Sequence, residues 1–272
     1  MTYIGHATTL IEMDGLRILT DPVLRGRVWH LRRKKVPINP LWRKNIDAVL
    51  ISHLHWDHFD LPSLRLMEAD NCIIAPLGAA RMLRRHNFRC VQELAIGQSL
   101  SIGSLTITAT YANHNGARHK FSTPTDALGY LIRGSRVVYF AGDTDLFPEM
   151  NSLADDLDAA LLPVWGWGPT LGQGHLTPYR AALSLQMLKP KLAIPIHWGT
   201  LHPVGFGHLK PRFLYDPPQV FARYAAHLAP DVSVQVVAPG EATYFDRAVF
   251  QKSHIVRRQT ADGRTVDRRK KR

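Results

Sequence analysis

The sequence predicts an α/β protein: an αββα sandwich of two mixed sheets flanked by helices. Three observations predict it. Apolar runs of strand length alternate with helix-like segments along the chain, joined by short connections. Runs of strands followed by helices occur twice over, the pattern expected of two sheets each covered by its own helices. The 272 residues are 45% apolar and 21% charged, enough to bury a large core without covalent staples.

The elements follow in order. Thr8–Met13 and Leu16–Thr20 flank Asp14-Gly15, a two-residue hairpin signal. The apolar run Ile46–Ser52 reads as a buried strand, and Leu61–Glu68 and Gly78–His86 as helices, with Pro62 suited to a first helical turn. Ser99–Ala112 reads as a hairpin through Gly103, followed by strands Leu128–Arg133 and Arg136–Ala141. Phe147–Leu153 is helix-like and Ala159–Val164 strand-like. Pro178–Leu188 is a helix stopped before Pro190, and Leu192–His197 a strand. Pro218–Leu228 is the last helix and Val232–Ala238 the last strand.

No repeat or interdomain linker interrupts this order, so residues 1–247 form one domain and residues 248–272 a basic, flexible C-terminal tail. The net charge is +12, from 34 Lys and Arg against 22 Asp and Glu. Lys252–Arg272 alone holds nine basic residues against Asp262 and Asp267, a net of +7. Such a tail is either a solvated end or a contact for nucleic acid or an anionic surface. A second basic run, from Arg25 to Lys44, has no acid and is interleaved with Trp29 and Trp42. It suits an anionic substrate or lipid headgroups, or else is a solvated loop with two docked tryptophans. Cys72 and Cys90 lack CxxC spacing, which favours reduced thiols in a cytoplasmic protein, with a single disulfide as the alternative. The N-terminus has no secretory signal pattern, and no apolar run approaches membrane-spanning length.

The chemistry concentrates in Ser52-His53-Leu54-His55-Trp56-Asp57-His58. Four metal-capable side chains in six residues are hard to explain as packing, because His and Asp are costly to bury without partners. Alternation along an extended chain puts His53 and His55 on one side, and a following turn into a helix swings Asp57 and His58 toward a second ion. Further candidates recur where strands emerge: His114, Asp143 and His197. Asp143 is the natural bridge, with the three histidines His53, His55 and His114 serving one ion and Asp57, His58 and His197 the other. This nitrogen and oxygen set suits two divalent cations, Zn first, Mn or Fe as alternatives.

HLHWDH, the isolated His114, the GD at Asp143 and PIHWGT resemble the ordered metal motifs of the metallo-β-lactamase superfamily, from Gly5 to about Gly240. Four stretches look closest to the branch of the N-acyl-phosphatidylethanolamine-hydrolysing phospholipase D and its bacterial relatives: GHAT with LTDP, NHNGAR, FAGDT and PIHWGT. The resemblance implies a hydrolase that activates a hydroxide between its two ions. It implies ligation by His53, His55, His114 and Asp143 at one ion, and by Asp57, His58, Asp143 and His197 at the other. Asp57 would also orient the nucleophile. His175 matches a site histidine of those relatives and would protonate a leaving group or contact an anionic oxygen, although the acidic residues that often follow there are missing from HLTPYRAA. Asp21 either orients a ligand histidine or makes a turn before Pro22. His6 reads as structural or orienting, and His119 and His202 as rim or structural. Trp165 and Trp167 either line an apolar groove or lie in the core.

The leading expectation is therefore a phosphodiesterase, phospholipase-like, acting on a small or lipid-like anionic substrate. It would be cytoplasmic and peripheral to a membrane through Arg25–Lys44 and the tail. A lactone or carboxylic ester hydrolase uses the same site and is the alternative. A nuclease is disfavoured, because Asp143 and His197 lie too close in sequence for a large inserted domain.

Overall fold

A computed structural model of the chain describes residues 1–34, 37–68, 71–118, 124–153, 155–206 and 211–245. The chain divides into Met1–Ala242 and Thr243–Arg272, and the fold is that of the first unit. The basic tail at 248–272 lies outside the described residues, as does His119.

In the first half, β1 (Thr2–Gly5), β2 (Thr8–Met13) and β3 (Leu16–Thr20) are followed by two short strands, β4 (Arg27–Val28) and β5 (Leu31–Arg33). Then come β6 (Ala48–Leu50), helix α1 (Leu61–Leu64), β7 (Cys72–Pro76), helix α2 (Ala79–Arg85) and β8 (Val91–Leu94). The second half holds β9 (Ser99–Ile102), β10 (Leu105–Asn115), β11 (Asp126–Arg133), β12 (Val137–Phe140), β13 (Ala159–Pro163), α3 (Pro178–Leu188), β14 (Leu192–Ile196), β15 (Leu201–Pro203), α4 (Arg212–Tyr215), α5 (Pro217–Leu228), β16 (Ser233–Val234) and β17 (Glu241–Ala242). One seven-stranded sheet runs β17-β1-β2-β3-β6-β7-β8, and another β16-β14-β13-β12-β11-β10-β9. Both are mixed: β1, β2 and β3 pair antiparallel while β3, β6, β7 and β8 run parallel, and β9 to β12 pair antiparallel while β12, β13, β14 and β16 run parallel. This is the α/β architecture of two mixed sheets with flanking helices that the apolar periodicity predicts.

Local chemistry explains the elements. Asp14 and Gly15 take φ of 54° and 81°, the left-handed pair a tight hairpin between twisted strands requires. Thr177 caps α3 by accepting from the Arg180 amide, Pro178 opens it, and Lys189 ends it in a left-handed conformation. β12, β13 and β14 are buried along their whole length, with α5 packed on β14 and on α3. The core of the first half joins Ile4, Leu10, Leu19, Val49, Phe59 and Ile73, and Trp42 packs against it half-buried.

Several elements differ from expectation. The helix expected over Leu61–Glu68 is one α-turn, after which Leu66 and Met67 bond to the carbonyls three residues back. The helix expected over Phe147–Leu153 is a 3-10 turn over Pro148–Ser152. The strand expected over Val232–Ala238 shrinks to Ser233–Val234, and β17 follows it. β7 and β8 were not expected: each is short and apolar on part of its length, and Pro76 and the charged Glu93 mask the pattern. Cys72, on β7, and Cys90, just before β8, sit half-buried as free thiols, and burial pushes the Cys72 thiol up to about 12.

The basic run is not simply a loop. β4 and β5 form a small sheet with β15, and Arg33 is buried, donating through Nη1 to the Val23 carbonyl (2.9 Å) and through Nη2 to that of Ile4. Burial lowers the Arg33 pKa to about 10. Trp29, at the tip between β4 and β5, stays 68% exposed. Among the described residues no helix is long and apolar enough to cross a membrane.

Candidate metal centre

The centre forms where both sheets release their strands on one side. After β6 the chain runs on through Ser52, whose amide and hydroxyl both donate to Asp21 (2.7 and 2.6 Å), and then carries His53 and His55. A tight turn follows in place of the helix expected here: the amides of His58 and Phe59 both donate to the His55 carbonyl. From the second sheet come His114 near the end of β10, Asp143 after β12 and His197 after β14. His6 follows β1. Its amide donates to the Thr200 hydroxyl at 2.9 Å and its carbonyl accepts from the His197 amide at 2.7 Å, so the two sheets are fastened together beside the centre. Gly5 makes this approach possible: at φ 128°, a Cβ there would stand 2.5 Å from the Thr200 hydroxyl.

All seven expected ligands converge, in two groups. In the first, His55 Nδ1 lies 2.9 Å from His53 Nε2 and 3.2 Å from His114 Nε2. In the second, His58 Nε2 lies 3.1 Å from His197 Nε2 and 3.1 Å from Asp143 Oδ2, with Asp57 Oδ2 at 3.8 Å. Asp143 Oδ1 faces His197 Nε2 at 3.2 Å, and His175 Nε2 approaches Asp143 Oδ2 at 3.4 Å.

The opposite ring nitrogens fix which atoms carry hydrogens. His114 Nδ1 donates to the Gly174 carbonyl (2.8 Å), His197 Nδ1 to that of Trp165 (2.6 Å), and His58 Nδ1 to Asp21 Oδ2 (2.7 Å). Since Ser52 Oγ gives its hydrogen to Asp21, His53 Nδ1 donates to Ser52 at 2.9 Å. The neutral rings of His53, His114 and His197 therefore turn an Nε2 lone pair inward, as metal-binding histidines do. Lone pairs drawn into one space repel unless a proton or a cation lies among them. Asp143 Oδ1, buried and without a hydrogen-bond donor, sits in the same concentration of negative density.

Titration favours cations too. Burial drives the pKa values of His53 and His197 well below the ordinary imidazole value and that of His114 down to about 4, so their lone pairs are free near neutrality. His58 goes the other way. Burial opposes its charge, but the Asp143 and Asp57 carboxylates outweigh burial and raise its pKa well above the ordinary value. A cation binding there displaces that proton. The residues thus fit a pair of divalent cations.

Sequence reasoning placed His6 at the edge of this group, whereas the structure brings it in. His6 Nε2 is 2.9 Å from Asp57 Oδ2, its ring centroid is 3.9 Å from that of His197, and it belongs to the ligand-capable set His6, Asp57, His58 and His197. Asp21 orients His58 and does not simply make a turn. The roles of the Trp165 and Gly174 carbonyls left no sequence signal, because any residue supplies a carbonyl. His202 lies in β15, its Nδ1 against the Pro203 carbonyl, away from the ligand groups. Trp165 and Trp167 are half-buried, not core: Trp167 meets His30 edge-on, and Trp165 lines a cleft of about 550 Å³ with Tyr179, Phe213, Val220 and Tyr224.

Asp21→Ala removes the acceptor that holds both His58 and Ser52. Its metal affinity, measured by chelator competition, is expected to fall by roughly 10–100-fold. Unchanged affinity would mean that His58 is oriented without Asp21.

Comparison with known proteins agrees with this geometry. The profile of the beta-lactamase superfamily domain matches residues 16–198, more than half of the chain. A UPF0173 metal-dependent hydrolase of Methanopyrus kandleri is 29% identical over 89% of this chain and 98% of its own length. Another, from Carboxydothermus hydrogenoformans, is 30% identical over 74% of this chain and 84% of its own. Among solved structures, the metallo hydrolase Igni18 of Ignicoccus hospitalis superposes with a TM-score of 0.69 at 25% identity, covering 90% of this chain and 97% of that one. Shared sequence over most of both chains, on a shared fold, makes this protein a member of the metallo-β-lactamase superfamily, among its UPF0173 metal-dependent hydrolases.

Proposed function

We propose that this hydrolase cleaves an anionic phosphodiester, phospholipid-like as in the phospholipase D-like branch that the GHAT, NHNGAR, FAGDT and PIHWGT stretches resemble. The observation that carries the substrate class is charge. No Asp or Glu occurs from Pro22 to Ile46 or from Ala159 to Tyr215. These two stretches supply the small sheet and the loop from Trp165 to His175 beside the centre. Every acid of the site is instead drawn inward, to Asp21, Asp57 and Asp143, where a divalent cation would neutralise it. The small sheet, which borders the centre through His30 against Trp167 and the Lys34 amide against the Thr200 carbonyl, makes a rim of basic and aromatic groups, among them the exposed Arg27, Trp29, Arg32 and Lys34. Such a rim attracts an anionic ligand or surface. The tail, net +7 from Lys252 on, would add to that attraction.

His53, His55, His114 and Asp143 would hold one cation, and Asp57, His58, Asp143 and His197 the other. The donors are nitrogen and oxygen without thiolate, which suits zinc and also manganese or iron. A bound pair supplies Lewis acidity toward the phosphoryl oxygen and lowers the pKa of water toward neutrality. The chain does the rest. His6 Nε2 holds Asp57 Oδ2 and so sets the carboxylate that would orient the attacking water. His175 is fixed by its Nδ1 against the carbonyls of Gly172 and Gln173 (3.2 and 3.0 Å), with Nε2 toward the centre. Burial disfavours its protonated form, but Asp143 and those carbonyls outweigh burial and raise its pKa. A protonated imidazole there is placed to give its Nε2 hydrogen to the leaving oxygen.

Two tests follow. Protein loaded with zinc or manganese is offered bis(p-nitrophenyl) phosphate and, separately, a γ-lactone, with Asp57→Ala as the blank. Phosphodiester turnover lost in the variant supports the proposal; lactone turnover alone moves the reaction to carboxyl ester hydrolysis and leaves the acid-free rim to another role. His175→Ala is expected to keep both metals and to lose roughly 10²–10⁴-fold in kcat. Loss of metal would instead make His175 a ligand.

A further inference from the structure

We propose that Arg118 is a positioning residue that clamps both ends of the ligand-bearing turn Leu54–Phe59 and so sets where His55, Asp57 and His58 stand. The proposal rests on that turn carrying metal ligands, as in the reading above. Among the described residues the hydrogen bonds of Arg118 go to none of those three side chains, although its charge is felt by Asp57. Its Nη1 donates to the Leu54 carbonyl at 3.0 Å and to the Phe59 carbonyl at 2.5 Å, one at each end of the turn. The guanidinium carbon lies 3.6 Å from the centre of the Trp56 ring and 5.2 Å from that of Phe59, so aromatic rings of the turn itself close over the cation. A neighbour on the same strand exit completes the grip: the Gly116 carbonyl accepts from the Leu54 amide at 3.0 Å.

The chemistry is specific to arginine. Arg118 is 7% exposed, and burial pushes its pKa down to about 10, still charged at neutrality. Leu54 and Phe59 are buried, so their carbonyls have no ready substitute for the donor. A planar guanidinium can stack on an indole while donating to two carbonyls at once; an ammonium cannot do both. The turn comes from the first sheet and Arg118 from the end of the segment after β10, in the second. The clamp thus ties the turn to the sheet that carries His114, Asp143 and His197.

The test compares full-length wild type, Arg118→Lys and Arg118→Ala by zinc affinity, by the visible spectrum of the cobalt-substituted protein, and by thermal unfolding. Arg118→Lys is expected to fold with a melting temperature close to wild type, yet to bind its weaker cation about tenfold less tightly and to show an altered cobalt spectrum. In Arg118→Ala, millimolar guanidinium chloride is expected to restore part of that affinity, whereas equal sodium chloride does not. If Arg118→Ala does not fold, the lysine variant decides. Wild-type affinity and an unchanged cobalt spectrum in a folded Arg118→Lys overturn the proposal, as does equal rescue by both salts. All three readouts are taken without substrate, so failure of the phosphodiester reading leaves this test intact.

Discussion

Asp143→Ala is expected to leave less than one tightly held metal per chain and to slow hydrolysis by at least about a thousandfold. The size follows from position. Asp143 Oδ2 is 3.1 Å from His58 and 3.4 Å from His175, and Oδ1 is 3.2 Å from His197. Among the described residues no other carboxylate of the centre has three imidazole nitrogens within 3.4 Å. Burial alone would raise its pKa, yet the imidazoles of His197, His58 and His175 hold it well below the ordinary value, so it stands as an anion at neutral pH. Its removal takes a ligand from each proposed cation and leaves His58 and His197 facing each other at 3.1 Å with nothing between them to balance charge. Asp143→Asn, of the same shape, separates the effects: it keeps an oxygen but loses the charge, and should retain more metal than the alanine variant while losing nearly as much activity. Metal content by mass spectrometry and turnover of bis(p-nitrophenyl) phosphate measure both. Two full equivalents of metal in Asp143→Ala would show that the carboxylate is not shared.

What was legible in the sequence was whatever alternation and residue chemistry express locally. The Asp14-Gly15 hairpin, the long strands of the second sheet and helix α3 have clear period, cap and stop signals. The convergence of His53, His55, Asp57, His58, His114, Asp143 and His197 was legible because His and Asp at strand ends are rare without a purpose. The missed parts are set by long-range packing. β7 and β8 are short parallel strands whose burial comes from neighbours rather than from their own pattern, and the two-residue strands β4 and β16 exist only because a partner lies alongside. His6 was undervalued because nothing near it in sequence points at Asp57, 51 residues away. Its place is set by backbone: a left-handed φ of 59° after Gly5, and the bond from the His197 amide to its carbonyl. Three residues of the centre, His6, Asp21 and His197, have positive φ, with Asp21 at 33° and His197 at 64°. Strain of this kind is tolerated where the surroundings over-determine a conformation, and no composition or period reports it.

Chelation is expected to lower the melting temperature by at least about 10 °C, reversibly on adding zinc. The reason is topological. His53, His55, Asp57 and His58 follow β6 in the first sheet, while His114, Asp143 and His197 come from β10, β12 and β14 in the second. Cations held by both sets would cross-link the sheets at one end of the sandwich, and the unfolded chain would offer no comparable site. A ligand present at a thousandfold its dissociation constant stabilises by roughly 4 kcal/mol. For a domain of this size that is worth roughly 8–16 °C per ion. The loss should be local as well as global. Without cations the inward lone pairs and carboxylates repel or take up protons, and the segments holding the rings from outside lose their reason to stay in place. Amide exchange is therefore expected to speed up first in Ile51–Phe59 and Trp165–His175, while β12 and β13 remain protected. In Asp143→Ala the chelator should shift the melting temperature little, since most of the metal is already gone. A melting temperature unmoved by chelation in the wild type, with metal demonstrably removed, would place the cations outside this ligand set and return the convergence of His53, His55, His58, His114 and His197 to an unexplained packing of imidazoles.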